Sequence, residues 1–499
     1  MRFPPLALVS ALFLACESPP PAPPLVAGAP APALRPPAPP AGASASTPPV
    51  ATPTAPEPPP ALEAERRAVL EQLVSFDTSH GREIDALKPI AERLDRAGVH
   101  AELFEAGPGR GDLVARLRGS GAKRPLLLLA HIDVVPIEGQ PWTVTPFHVT
   151  EKEGFLYGRG VNDDKGMASS IVAIALELAR TRAALSRDVI VALTAGEETD
   201  GIGIRWLLEN HHDLLDAEIA LNEGGGAFAS DDLSRIDGIG VGAAEKIFQS
   251  YRLVVRGPGG HSSLPPPGVD PVATLARGLE RVAALKLPAR ALPAIKDELG
   301  FFAQREKPPL SDALRHAAAS APKIAPADEK VLSTDRYYNA LVHTTCVTTM
   351  LQAAPQDNVL PTTAEAVINC RLLPDETPDQ VKAVLEGAIA DHAVEVRAEK
   401  NWGFGPASTL DGAVLDAMRK AAAAHWPKSP VFPTMGTGAS DSRFLRAAGI
   451  RAYGLSTQPT SLVESRAGRT AHGPDERVPV RWFDDGVRFL RDVVLELAK

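Results

Sequence analysis

"LLLLAHIDVVP", residues 126–136, runs four leucines and an alanine straight into His131 and Asp133. A continuous apolar run of this length suits a strand buried on both faces of a mostly parallel sheet. In open α/β sheets ligands bind beyond the carboxyl ends of the strands, so an imidazole and a carboxylate at that end mark a candidate site. The strand period of two points both side chains the same way, which lets Asp133 hold the His131 ring from behind.

The same arrangement recurs along the chain. Strands are expected at 188–194 ("DVIVALT") and 217–221 ("AEIAL"), alternating with the helical stretches "KGMASSIVAIALELART" and "IRWLLENH". Glu197 and Glu198 ("TAGEET") follow the first of these strands, and Glu223 ("LNEGGG") follows the second. "YGRGVNDDKG" adds Asp163 and Asp164 in a glycine-rich loop just before a helix. If these groups converge, each pair of carboxylates about 4 Å apart repels by roughly 4 kcal/mol at an effective dielectric of 20. A divalent cation removes that cost. Nitrogen and carboxylate ligands without thiolates fit zinc, with cobalt or manganese as substitutes.

The rest of the chain bounds the answer. Its 499 residues, 44% hydrophobic and 23% charged, have a globular profile. A net charge of −9 and no concentrated basic face argue against a nucleic-acid partner. The α/β texture covers 61–246 and resumes over 399–499. Between them, 247–398 changes to period-two strands, "SYRLVVRG" and "TAEAVINCRLL", and to helices opening "DPVATLARGLERVAAL" and "TPDQVKAVLEGAIA". Asp270 is the expected N-cap of the former, with Pro271 at its first helical position. This is a small α+β unit inserted into the larger one, and 288–340 within it is expected to be a helical insertion.

The start, "MRFPPLALVSALFLAC", puts one Arg before an apolar run too short to span a bilayer, which marks residues 1–16 as a signal peptide. Cleavage before Cys16 with lipid attachment there is the expectation, and an ordinary secretory signal is the alternative. Both readings export the protein to the periplasm or cell envelope. Residues 17–60, nearly all Pro, Ala, Ser and Thr, read as a disordered linker. Cys346 and Cys370 leave room for one bridge and no disulfide framework.

Six ordered motifs carry a family resemblance: "AHIDVVPIEGQPWTVTPF", "GFLYGRGVNDDKG", "GEETDG", "LNEGGG", "GGHSSLPP" and "AHGPDERV". Together they resemble the dizinc exopeptidase family of aminoacylase, bacterial glutamate carboxypeptidase and succinyl-diaminopimelate desuccinylase. "NALVHTT", "DNVLPTTAEAVINCRLLP" and "SDSRF" bring the chain nearest to the branch of carboxypeptidase S and the N-fatty-acyl-amino-acid hydrolases.

The resemblance implies a mostly parallel-sheet catalytic domain with an inserted ferredoxin-like lid, often used for dimerisation. It implies two zinc ions: His131 and Glu223 on one, Glu198 and His472 on the other, Asp163 between them. Glu197 would be the general base, Asp133 a partner of His131, and His261 of the lid an oxyanion donor to the facing site. Arg371, Asn358 and Arg443 are candidates to hold a substrate carboxylate. The implied activity is cleavage of an amide beside a free carboxylate in a small peptide, of exopeptidase, carboxypeptidase or dipeptidase type. An N-acyl-amino-acid deacylase is the alternative, and an inactive binding lipoprotein the rival of another class. Three positions depart from the family pattern: Asn222 and Gly196, where Asp is expected, and His343, where the branch has Arg.

Overall fold

In the computed structural model the strand Leu126–His131 is buried at every residue and lies between two parallel neighbours, Val189–Thr194 and Ile219–Asn222. Residues 61–499 are described, apart from Val269, 400–404, Asp411, Leu462, 465–467 and Arg469. The signal peptide, Cys16 and the 17–60 linker therefore lie outside the described residues.

Alternate side chains of the central strand enter two different cores, as a strand covered on both faces requires. Leu126, Leu128 and Ala130 pack with Met167 and Ile171 of the helix Lys165–Thr181 and with Val487 and Leu490 of Val480–Ala498. Leu127 and Leu129 pack with Ile204, Leu207, Phe444 and Leu445 of Ile202–Asn210 and Ser442–Ala447. Each fully buried leucine contributes roughly 1.5–3 kcal/mol. The run thus offsets the desolvation of His131 and Asp133 at its end.

The full sheet has a parallel centre and antiparallel flanks. Arg451–Gly454 adds a fourth parallel strand beside Ile219–Asn222. Arg110–Leu117 and Ala101–Gly107 extend one edge antiparallel. Ile236–Glu245 turns antiparallel on the other side, carrying Gly226–Ala229 and Val431–Gly436. No helix among the described residues is long and apolar enough to cross a membrane.

The inserted unit is a four-stranded antiparallel sheet in the order Thr345–Gln352, Thr363–Leu372, Ile247–Arg256, Val394–Ala398. With the helices Pro271–Ala283 and Pro378–Ile389 on one face, this is the ferredoxin-like order. Both helices start as their sequences dictate. Asp270 accepts from Val272 N and Ala273 N, and Thr377 forms a reciprocal cap with Gln380.

The helical insertion follows a different course. Its helices Lys296–Ala303, Leu310–Ser320 and Arg336–Val342 share a core with Ala244, Phe432 and Met435. It therefore packs on the edge of the catalytic sheet and interrupts the lid read at 247–398.

Cys346 and Cys370 are opposite each other in register and joined by a disulfide. Replacing both by alanine frees the loop they close and is expected to cost about 2–4 kcal/mol of lid stability. Chemical denaturation with a lid-specific probe checks this; an unchanged midpoint would contradict it.

Candidate metal centre

His131 pairs in register with Thr194, and Ile132 N donates to Thr194 O (3.0 Å), so the two strands release their chains side by side. That is why His131 and the turn bearing Glu197 and Glu198 share one edge of the sheet. His131 Nε2 lies 3.1 Å from Asp163 Oδ1 and 3.8 Å from Glu223 Oε1. The other oxygen, Asp163 Oδ2, is 3.1 Å from His472 Nε2, which is in turn 3.0 Å from Glu198 Oε1. One carboxylate thus stands between two imidazoles.

Donor atoms of His131, Asp163 and Glu198, and of His131, Glu197 and Glu223, also fall within 4.8 Å of one another. The shortest pairs nevertheless divide the cluster into His131–Asp163–Glu223 and His472–Asp163–Glu198. That division matches the chemistry of a cation better: ligand atoms about 2.0–2.1 Å from a tetrahedral zinc are about 3.3 Å apart. The residues therefore fit a pair of divalent ions that share Asp163.

Electrostatics points the same way. Six carboxylates (Asp133, Asp163, Asp164, Glu197, Glu198 and Glu223) meet two imidazoles in a largely buried volume. Burial pushes Glu223, Glu197 and Asp164 well above the usual carboxylate range, and neighbouring acids add to each shift. Burial also opposes ionisation of Asp163, but hydrogen bonds with His131 and His472 outweigh it and hold that group low. His472 is raised to about 10 by Asp163 and Glu198. His131 is raised as well: burial pulls it down, and its bonds with Asp133 and Asp163 prevail. Without positive charge from outside, the cluster holds its protons on both rings. Added cations would displace them.

Asp133 does more than the spacing suggested. The His131 ring nitrogen Nδ1 meets the main-chain oxygen of Asp133 at 3.0 Å, while the carboxylate is 3.5 Å away. The two carboxylate oxygens accept instead from Glu197 N and Glu198 N, each at 3.1 Å. Asp133 therefore orients both the ring and the acidic turn. Gly196 opens that turn at φ 78°, where a Cβ would lie 2.5 Å from Arg110 Nη2 and 2.7 Å from Ile202 Cγ2. An Asp there, as the family pattern suggests, would need Arg110 and Ile202 to shift and a backbone conformation that glycine adopts more readily.

Sequence reasoning missed Glu476 and Arg159. Glu476 Oε1 accepts from the main-chain nitrogens of Gly160, Asn162 and Asp163 at 2.8–3.1 Å. Its other oxygen takes Arg159 Nη1 at 2.6 Å, and Arg159 reaches the carbonyls of His472 and Gly473. Both side chains are fully buried. This pair ties the loop of Asp163 to the loop of His472. Both residues lie inside quoted motifs, yet three N–H groups facing one carboxylate appear only when the loops close.

The other expected residues fall elsewhere. His261 and Val359 pair on a short ribbon, Ser262 N donates to Asn358 O, and His261 and Asn358 are both exposed, with no contact to the metal cluster among the described residues. Arg371 lies opposite Phe248 on the lid sheet and over its ring (4.7 Å). Burial and then the nearby Arg443 lower its pKa. Asp441, buried two residues before Arg443, accepts from Thr194 Oγ1 (2.8 Å) and so links that loop to the His131 edge. Asn222 Nδ2 donates to Ser442 Oγ (3.0 Å), a use for an amide where the family pattern has an acid. His343 is buried against Asn339 O and Glu329, away from the metal cluster.

The sequence profile of peptidase family M20/M25/M40 matches residues 127–496. The chain belongs to this family. It is similar to the N-fatty-acyl-amino acid synthase/hydrolase PM20D1 of Homo sapiens, 28% identical over 394 residues, 74% of each chain. Among solved structures it resembles the M20 family metallo-carboxypeptidase Sso-CP2 of Sulfolobus solfataricus, with a TM-score of 0.65, 20% identity, and 87% and 98% of the two chains covered. It also resembles the Bacillus subtilis YXEP protein, a dinuclear metal binding peptidase from the M20 family, with a TM-score of 0.56, 17% identity and 88% and 98% covered. As an M20 protein the chain is a metallohydrolase of the peptidase or aminoacylase type.

Glu476→Gln keeps the size of the side chain but puts an NH2 where an acceptor is required. Zinc affinity, measured by chelator competition, is expected to fall roughly 10–100-fold with the fold retained. Unchanged affinity would show that the M20 loops hold themselves.

Proposed function

We propose that the chain is an exported two-zinc hydrolase that cleaves an amide beside a free carboxylate, in a dipeptide, a peptide C-terminus or an N-acyl amino acid. The observation that carries this is Asp163, whose two oxygens each lie 3.1 Å from a different imidazole. His131 and Glu223 would hold one ion and His472 and Glu198 the other, with Asp163 common to both. Bound zinc supplies Lewis acidity toward a carbonyl and lowers the pKa of water to about 7.

The remaining chemistry belongs to the chain. Glu197 Oε2 is 4.0 Å from His131 Nε2, in the cluster yet outside its shortest donor pairs. Burial and the neighbouring Glu223 raise its affinity for a proton, which suits a carboxylate that takes one from the attacking water and passes it to the leaving nitrogen. Arg443 is near enough to act on the charge of Arg371, and among the described residues neither guanidinium is held in an ion pair. Two such guanidiniums can fork onto the substrate carboxylate, with Asn358 beside the ribbon that carries His261.

Export is supported by the Cys346–Cys370 disulfide, since such bonds persist in oxidising compartments. A lid-to-lid dimer, in which His261 donates to the facing site, is supported by the outer strand of the lid. There Val347, Met350 and Leu351 are 59–68% exposed on an unpaired edge.

A panel of dipeptides and N-acyl amino acids tests the reading. Hydrolysis should vanish on chelation and return with zinc. Glu197→Gln should lower kcat roughly 10²–10⁴-fold while zinc stays bound. Turnover that survives complete chelation would contradict the mechanism, and bound zinc without turnover of any amide would favour a binding role.

A further inference from the structure

We infer that the loop following His131 is a latch that positions His472, with Gln140 and Thr143 as its holding residues. This deepens the proposed function and rests on its two-ion reading.

His472 is the most exposed of the five expected ligands. Its side chain is 56% exposed, against 2% for His131 and 10–23% for Asp163, Glu198 and Glu223. His131 ends a buried strand, whereas residues 470–476 contain no helix or strand. The backbone of His472 is at φ 67° and that of Asp475 at φ 52°, in the left-handed region that residues with a Cβ seldom adopt. Such a conformation persists only where the surroundings hold it.

The hold comes from nine to twelve positions past His131, in a segment that also lacks regular structure. Gln140 Nε2 donates to His472 O (3.0 Å). Thr143 meets Asp475 twice, through N to Oδ1 (2.7 Å) and through Oγ1 to Oδ2 (2.8 Å). Both left-handed residues are thereby gripped, one by its carbonyl and the other by its carboxylate. Gln140 is itself fixed, because its Oε1 accepts from Trp142 Nε1 (3.1 Å) and Arg159 Nη2 (2.6 Å). The Arg159 guanidinium also lies over the Trp142 ring, 5.0 Å from its centroid. The position needs an amide: one atom must accept from two donors while the other donates to a carbonyl.

The latch acts on the ring through its backbone, so Gln140 and Thr143 are positioning residues. With the loop held, His472 Nε2 stands 3.1 Å from Asp163 and 3.0 Å from Glu198 before any cation arrives. A ligand ordered beforehand binds tighter, because binding does not then have to order it. The strand that delivers His131 needs no such help, so the effect falls on the ion of His472 and Glu198.

Gln140→Met, which keeps the length and removes both polar atoms, and Thr143→Val, which removes the hydroxyl, test this in the full chain. Thr143→Ser is the conservative rescue. In the metal-free protein the amides at positions 143 and 473, bonded to Asp475 and to Thr470, should exchange about tenfold faster in the first two variants. Those of the helix Lys165–Thr181 should not change. Zinc is then titrated against chelators, with His472→Ala marking which binding step belongs to the ion of His472. That step should weaken roughly 10–100-fold in Gln140→Met and Thr143→Val, the other should stay, and Thr143→Ser should match the parent. Unchanged exchange, a His472 step that does not move, or equal weakening of both steps overturns the inference. If exchange rises as expected but His472→Ala removes no zinc step, the two-zinc reading fails and the latch stands.

Discussion

The structure depends on one shared carboxylate. Asp163 faces His131 with one oxygen and His472 with the other, although the two histidines lie 341 residues apart in the chain. Everything around it keeps that contact possible despite its electrostatic cost. The leucine-rich strand fixes His131, Asp133 fixes the turn of Glu197 and Glu198, and the buried Arg159–Glu476 pair joins the two loops that supply Asp163 and His472. A cluster so rich in buried acid is unfavourable on its own terms. Its natural complement is positive charge, and the nitrogen and oxygen donors are spaced for metal.

Much of this was legible in the sequence because the relevant signals are local. A run of four leucines ending in "HID" fixes a strand, its burial on both faces and the end at which His131 appears. Strand ends place Glu198 and Glu223 at the same edge and the family resemblance adds His472; in the structure Glu223 lies 3.8 Å from His131, and His472 lies 3.1 Å from Asp163 and 3.0 Å from Glu198. Asp270 and Pro271 announced a helix start that the structure reproduces to the residue. What stayed hidden depends on closure in three dimensions. The carboxylate of Asp133 looked like a partner for the ring, yet main-chain nitrogens in the turn after the neighbouring strand claim it. Glu476 was one acid among many until three N–H groups converged on it. The course of 288–340 was hidden because its amphipathic helices could cover either the lid or the catalytic sheet, and Phe432, Met435 and Ala244 decide between them.

That insertion and the lid pack in different cores. The lid contributes Arg371 and the ribbon of His261, to which the proposed function gives the substrate carboxylate and the reacting carbonyl. The insertion instead reaches the catalytic sheet and puts aromatic rings beside the loop of Glu223.

The most direct test of the central claim is an anomalous-scattering map of the zinc-loaded protein. Two peaks, one on each side of Asp163, with His131 and Glu223 around the first and His472 and Glu198 around the second, are the expected result. A map with no ion at the cluster, or with a single ion that Asp163 does not touch, would contradict it.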